Sequence, residues 1–417
     1  MNIQFPSLEG VKLAEFQLQE VCKITPLEPN KRLSEMTGAL VFLKREDLQQ
    51  IRSFKIRGAY NKIASLSEAA REKGIVCASA GNHAQGFAFA CNQLKIHGRV
   101  YMPATTPQQK TAQVKRFGGN LVETILTGDT YDECQQVAQK ITQKESKIFI
   151  HPFDDKEVIE GQATIAIEML AQQKEGFDYV VVPIGGGGLI SGIITVFKAL
   201  SPHTKIIGVE PQGAQSMKQA LEKGRRIRLQ EMDRFVDGAA VRQVGALPFE
   251  ICKNNLETII SVPEGKICQT ILDLYNKEGI VVEPAGALGI AALDLIDFDL
   301  KGKKVGVLLC GGNNDILRMP EIKERALLYA NLKHYFIVDF PQRAGALKQF
   351  VNEILGPNDD ITHFEFSKKS NIGVAPAVVG IELKSKEDLQ VLVDQMKNHN
   401  FNFDYLNEKE NLFQFLI

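Results

Sequence analysis

The sequence predicts an α/β protein, with parallel sheets covered by helices, followed by a smaller ferredoxin-like module of order βαββαβ. Three observations carry this prediction. From about residue 39 to residue 311, short β-branched runs alternate with amphipathic stretches of helical period, the pattern of parallel strands joined by crossover helices. The chain has 417 residues, 44% of them hydrophobic, which is long and apolar enough for more than one core. Beyond about residue 330 the pattern changes to paired strands flanking two helices, which could close a core of its own.

The strands read in order as ALVFLK (39–44), IVCAS (75–79), RVYMP (99–103), NLVETIL (120–126), KIFIHP (147–152), YVVVPI (179–184), KIIGVEP (205–211) and KVGVLLCG (304–311). Helices are expected over 83–94, 107–117, 130–144 and 157–172, with another starting by Leu189. In the tail, HYFIVDF (334–340), a helix over 344–355, ITHFEFSK (361–368), APAVVGIEL (375–383), a helix over 386–398 and FNFDYL (401–406) complete the module. Two domains are therefore expected, residues 1–325 and 332–417.

Composition excludes several classes of partner. Lysine and arginine number 49 against 50 acidic residues, a net charge of −1, so there is no basic footprint for nucleic acid or an anionic membrane. A small neutral or zwitterionic ligand fits better. No stretch approaches the roughly 20 apolar residues of a membrane span, and the start lacks a basic region followed by an apolar run, so the expected location is cytoplasmic. Seven cysteines, scattered and without a CxxC pair, fit neither a disulfide framework nor a structural zinc site.

Four stretches carry chemistry. In VVVPIGGGGLISG an apolar strand ends at Ile184 and a helix begins by Leu189, with Gly185, Gly186, Gly187 and Gly188 between them. Backbone N–H groups converge there on the positive end of a helix, which makes a phosphate cradle. The run is neither GxxxxGK[ST] nor GxGxxG in the first βα unit, which disfavours ATP and NAD. The loop SAGNH places Ser79, Ala80, Gly81, Asn82 and His83 at another strand-to-helix junction, where ligands of open α/β sheets bind; the same residues would also serve as a plain N-cap. Cys310 closes the strand VLLC before Gly311 and Gly312. In SFKIRGA (53–59), Lys55 lies between Phe54 and Ile56 at a helix start, where an unselected lysine would simply be solvated.

A phosphate cradle combined with such a lysine points to pyridoxal phosphate, whose aldehyde is held by an amine. The motifs SFKIRGA, SAGNHAQG, PIGGGGLISG, EPAGA and CGGNN, in that order over about residues 15–320, resemble the fold-type II pyridoxal-phosphate enzymes of the threonine dehydratase family. The tail from about 332 resembles the single ACT-like regulatory domain of the biosynthetic members.

The resemblance implies that Lys55 carries the cofactor aldehyde and later removes the substrate Cα proton. Phe54 packs beside the ring, Asn82 bonds its 3-hydroxyl, and Gly185 to Leu189 hold the phosphate. Cys310, where the family mostly has serine, faces the ring nitrogen. The backbone of residues 79–83 holds the substrate carboxylate. The family also implies a monovalent or divalent cation, for which Glu210, the Ala214 carbonyl and Ser216 are candidates; an ordinary strand end would look the same. L-threonine, with L-serine as alternative, is the expected substrate, isoleucine the expected effector, and a homotetramer the expected assembly. DFPQRAGALKQF resembles the effector-binding turn of such modules, although Ala344 stands where they often have proline. A catabolic serine/threonine dehydratase or an amino-acid racemase of the same fold is the alternative, but such relatives typically stop near residue 330. A non-catalytic amino-acid sensor would have no need of Lys55.

Overall fold

The computed structural model describes residues 4–366 and 373–409, and the chain divides into two compact units, Met1–Ile316 and Leu317–Ile417. The first holds β1 (Leu27–Pro29), β2 (Leu40–Arg45), β3 (Ile75–Ala78), β4 (Gly98–Met102), β5 (Val122–Leu126), β6 (Ile148–Phe149), β7 (Tyr179–Pro183), β8 (Lys205–Pro211), β9 (Thr258–Val262) and β10 (Lys304–Leu309). They form two sheets, ordered β1-β2-β10-β7-β8-β9 and β5-β4-β3-β6. Only β1 with β2 is antiparallel; all other neighbours are parallel. The carboxyl ends of the parallel strands therefore share one edge of each sheet.

Period-two alternation lets both faces of the smaller sheet be buried. Ile75, Cys77, Val100 and Met102 pack with Ala84, Phe87 and Cys91 of the helix Asn82–Leu94. The residues between them, Val76, Ala78 and Tyr101, pack with Cys134 and Ala138 of the helix Tyr131–Lys144. All seven cysteines are free. Among the described residues no helix is long and apolar enough to cross a membrane.

Two strands of this unit escape the sequence reading, and one falls far short of its expected span. β1 has three residues and ends in proline, and β9 is a half-buried edge strand, so neither shows the apolar run of an interior strand. The stretch 147–152 pairs only at Ile148 and Phe149. After Ile150, whose N–H still donates to Val76 O at 2.8 Å, Pro152 has no N–H with which to continue the ladder.

Glycine contacts set the spacing of four helices. A Cβ at Gly161, in the helix Lys156–Gln172, would lie 2.7 Å from Arg57 O and from Gly58 Cα of the helix Lys55–Ala64. A Cβ at Gly86 would lie 2.9 Å from Lys55 O, and one at Gly192, in the helix Gly188–Leu200, would lie 2.8 Å from Ala163 N. Here the backbones touch directly. Beside them lies a buried ion cluster, in which Arg57 bonds Glu46 at 2.7 Å and Glu168 at 2.6 Å while Lys44 reaches the other oxygen of Glu168.

The second unit begins with the helix Met319–Tyr329 and continues through β11 (Lys333–Pro341), the helix Ala346–Glu353, β12 (Asp360–Phe366), β13 (Val374–Glu382), the helix Asp388–Asn398 and β14 (Phe403–Tyr405). The sheet is antiparallel, ordered β12-β13-β11-β14, which is the ferredoxin-like arrangement. Phe336, Val338 and Phe340 pack with Phe350, Leu392 and Met396. The helix expected over 344–355 starts only at Ala346, because Gly345 before it has φ +84°. The last two residues of the strand expected over 361–368 lie outside the described residues.

Gly161→Ala is expected to push the Lys55 helix away from its neighbour and to destabilise the protein by about 2 kcal/mol, the usual cost of overpacking. Thermal or denaturant unfolding measures it, and a wild-type midpoint would contradict the contact.

Candidate active site

Lys55 is the first residue of its helix, and the loop before it is pinned to the chain that follows β10. The Phe54 N–H donates to Cys310 O at 3.2 Å and Ser53 makes an isolated bridge with Gly311. The Lys55 side chain is half-buried, with its amine donating to Pro152 O at 2.8 Å and lying 5.2 Å from the centre of the Phe54 ring. Burial pushes that amine down to about 8, against the opposing pull of Cys310 and Glu283. A carbonyl partner leaves it easier to deprotonate than an ion pair would.

Lys55 lines a cavity of about 430 Å³. Phe54, Ser79, Ala80, Gly81, Asn82 and His83 share its wall with Gly186 and Cys310. Residues 230 positions and more apart thus meet at the carboxyl ends of β3, β7 and β10. The Gly81 N–H donates to Ser79 Oγ at 3.2 Å. His83 is buried and neutral, its pKa pushed down to about 3 by burial and then by the Lys55 charge, with Nε2 3.1 Å from Ile150 O. Cys310 Sγ donates to Ala285 O at 3.2 Å, and burial raises its pKa, so the thiol stays protonated.

Of the glycine run, Gly186 lines the cavity, and Gly185, Gly187, Gly188 and Leu189 are not among its lining residues. The need for glycine is structural at each position. A Cβ at Gly186 would overlap the Phe153 ring at 2.2 Å, one at Gly188 would lie 2.9 Å from Phe153, and one at Gly185 would lie 3.1 Å from Ala239 Cα. Gly187 has φ +93°, a left-handed conformation that favours glycine. The first backbone bond of the following helix runs from Ser191 N to Gly187 O, so the amides of Gly188, Leu189 and Ile190 have no acceptor within the helix. Such a turn is ready for an anion.

Glu210, Ala214 and Ser216 do not line this cavity. Glu210 is fully buried at the end of β8 and accepts from Met217 N at 2.7 Å and Lys218 N at 2.9 Å. Burial raises its pKa to about 7. Among the described residues no group of three or more histidine, cysteine or acidic side chains could hold a metal.

Two cavity residues were not singled out by sequence. Glu283 is buried and its carboxylate accepts from Asn82 Nδ2 at 2.6 Å; Asn313 Nδ2 donates to Asn82 Oδ1 at 2.7 Å. They lie inside EPAGA and CGGNN, yet a glutamate before proline reads as a helix cap, and nothing in the sequence links it to an asparagine 201 positions away. The wall also carries Arg226, Arg228, Arg234 and Arg242, cations that a net charge near zero conceals.

Comparison with known proteins matches residues 18–311 to the pyridoxal-phosphate dependent enzyme family and residues 324–416 to the C-terminal regulatory domain of threonine dehydratase. The chain is 52% identical over 410 residues to the L-threonine dehydratase biosynthetic IlvA of Halalkalibacterium halodurans, covering 98% of this chain and 99% of the relative. The chain belongs to the threonine dehydratase family of pyridoxal-phosphate-dependent enzymes. The Bacillus subtilis protein of the same name is 50% identical over 404 residues, covering 97% of this chain and 96% of the relative. Among solved structures, the processed form of threonine deaminase isoform 2 from Solanum lycopersicum superimposes with a TM-score of 0.72 at 37% identity, covering 79% of this chain and 92% of that one. Maize serine racemase gives the same TM-score at 29% identity, covering 78% of this chain and 99% of that one.

The residues present fit the family cofactor. A turn with open helix-terminal amides suits its phosphate, and an amine that, among the described residues, bonds a backbone carbonyl and no carboxylate suits its aldehyde. Gly187→Val is expected to abolish cofactor retention, because it forces a β-branched residue to φ +93° and sets its Cβ 2.6 Å from Pro248 Cβ. Dialysis followed by an absorbance spectrum tests this; a variant that keeps its cofactor would refute it.

Proposed function

We propose that the enzyme converts L-threonine to 2-oxobutanoate and ammonia as a biosynthetic, isoleucine-inhibited dehydratase. The observation that carries the reading is the Lys55 amine, with its pKa pushed down to about 8, in one cavity wall with Asn82, Gly186 and Cys310. The relatives at 50% identity and above carry the name threonine dehydratase over almost the whole chain, which supports threonine over serine as substrate.

In this proposal pyridoxal phosphate, when bound, supplies an aldehyde for the substrate amine and a ring that withdraws electron density from Cα. Lys55 carries that aldehyde at rest. Once freed, its neutral amine takes the Cα proton, and the burial that lowers its pKa favours the neutral form. Phe54 lies against the ring, Asn82 bonds its 3-oxygen, and Gly185 to Leu189 hold the phosphate through N–H groups. Ser79, Ala80, Gly81, Asn82 and His83 grip the substrate carboxylate, and the neutral His83 adds no charge there. Cys310 meets the ring nitrogen as a protonated thiol, a weaker partner than a carboxylate. The β-hydroxyl leaves as water, and the released enamine, after tautomerising to the imine, is hydrolysed by water to 2-oxobutanoate and ammonia.

The cation belongs to the proposal with Glu210, the Ala214 carbonyl and Ser216 as ligands. It is supported by the burial of the Ser216 hydroxyl beside the buried Glu210 carboxyl. A cytoplasmic homotetramer, with pairing of the ACT-like module across subunits, completes the reading.

Absorbance spectra with and without threonine, coupled to 2-oxobutanoate detection, test the reaction. Lys55→Ala is expected to bring turnover down to the rate of free cofactor while the fold survives; product formation above that background would exclude Lys55 as the base. The effector is expected to bind the low-activity arrangement more tightly than the active one, since equal affinity shifts nothing. Isoleucine should therefore inhibit the full chain sigmoidally and leave a chain ending at Ile316 unaffected. Equal sensitivity in both, or none in the full chain, would refute the regulation and leave the catalysis intact.

A further inference from the structure

We propose that Asn313 and Glu283 are positioning residues that lock the Asn82 amide in one orientation, so that it presents a single N–H donor, never its oxygen, to the cofactor. The inference rests on the reading above that Asn82 meets the 3-oxygen of the ring.

The polarity of the chain of bonds is fixed at its far end. Asn313 Nδ2 lies 2.8 Å from Ile51 O, and a carbonyl oxygen only accepts, so the atom there is the amide nitrogen. The same nitrogen lies 2.7 Å from an Asn82 side-chain atom, which must therefore be the oxygen, with Gln85 Oε1 a longer third contact at 3.2 Å. The other end of the Asn82 amide is then its nitrogen, which donates to Glu283 Oε1 at 2.6 Å. Flipping Asn82 would set oxygen against Glu283 and nitrogen against the Asn313 amide nitrogen, so both contacts would fail at once.

One Asn82 N–H remains. What it meets must be an acceptor, a role that the lone pairs of the ring oxygen fill. The Ile51 carbonyl stands four residues before Lys55, so the relay also ties the orientation of Asn82 to the loop that delivers the lysine.

The test measures the dissociation constant of pyridoxal phosphate, and the position of its visible band, for enzyme stripped of cofactor and reloaded. Asn313→Ala is expected to weaken binding about tenfold and to move the band, the effect of one hydrogen bond to a charged group. In an Asn82→Ala background the same change should cost much less than its tenfold, because the route through Asn82 is already gone. Additive losses, or wild-type binding by Asn313→Ala, would overturn the proposal. Wild-type binding by Asn82→Ala would instead show that Asn82 does not touch the cofactor, and both readings would fall. Asn82→Asp, isosteric but unable to donate, is expected to match Asn82→Ala; wild-type binding would overturn the donor assignment. Should Asn313→Ala melt early, Glu283 gives the same test from the other side: Glu283→Gln keeps the acceptor and the band, and Glu283→Ala loses both. A Glu283→Gln variant as impaired as Glu283→Ala would count against the relay.

Discussion

Direct backbone contact between helices at glycine is the constraint on which the site depends. The Lys55 helix touches the Lys156–Gln172 helix at Gly58 and Gly161 and the Asn82 helix at Gly86, and the Lys156–Gln172 helix touches the helix of the glycine turn at Gly192. Three site-bearing segments are thus fixed to one another without intervening side chains. Side-chain packing between helices leaves rotamers and sub-ångström slack, whereas backbones in contact leave none. A lysine, an amide and a phosphate turn that must act on one ligand need that rigidity.

The stretch SFKIRGA (53–59) also resolves an electrostatic conflict. Lys55 and Arg57 lie two positions apart at the start of one helix, one lowered toward neutrality and the other permanently charged. Successive residues of a helix point about 100° apart, so residues i and i+2 face different neighbours. Arg57 turns to Glu46 and Glu168; burial opposes its charge, but these carboxylates more than compensate and hold the guanidinium charged. With Lys44 in the cluster, two cations meet two carboxylates, and little net field is left to disturb Lys55. Lys55 faces the cavity, where burial alone has the larger say. Breaking such a buried pair costs about 3–5 kcal/mol, so Arg57 is better understood as an anchor of the helix than as part of the chemistry.

Much of this was legible in the sequence because the decisive signals are local. Lys55, Asn82, Cys310 and the glycine run each stand at a strand end or helix start that period and composition already mark, and the module after residue 330 announces itself by its change of pattern. What stayed hidden depends on contacts between distant segments. Glu283 and Asn313 owe their meaning to Asn82, 201 and 231 positions away. The reason for glycine also differs from what the motif implies. A phosphate cradle explains an open Cβ position, but at Gly186 and Gly188 the space is taken by Phe153 and at Gly187 by Pro248, neighbours that no local pattern names.

Those neighbours make the turn a consequence of packing as much as of binding. Phe153 fills the room beside Gly186 and Gly188, and it follows Pro152, whose carbonyl receives the Lys55 amine. Asp154, the next residue, caps the helix Ala246–Cys252 through Ala246 N at 2.8 Å and Leu247 N at 2.9 Å. His151 accepts from Asp154 N at 2.8 Å. The short stretch after β6 therefore touches the lysine, the glycine turn and the helix that carries Pro248. Its early departure from the sheet, imposed by a proline, is what frees these residues to reach all three. A longer β6 would keep the ladder bonds and lose the junction, so the strand that falls shortest of its sequence pattern is the one that joins the two sheets' contributions into a single site.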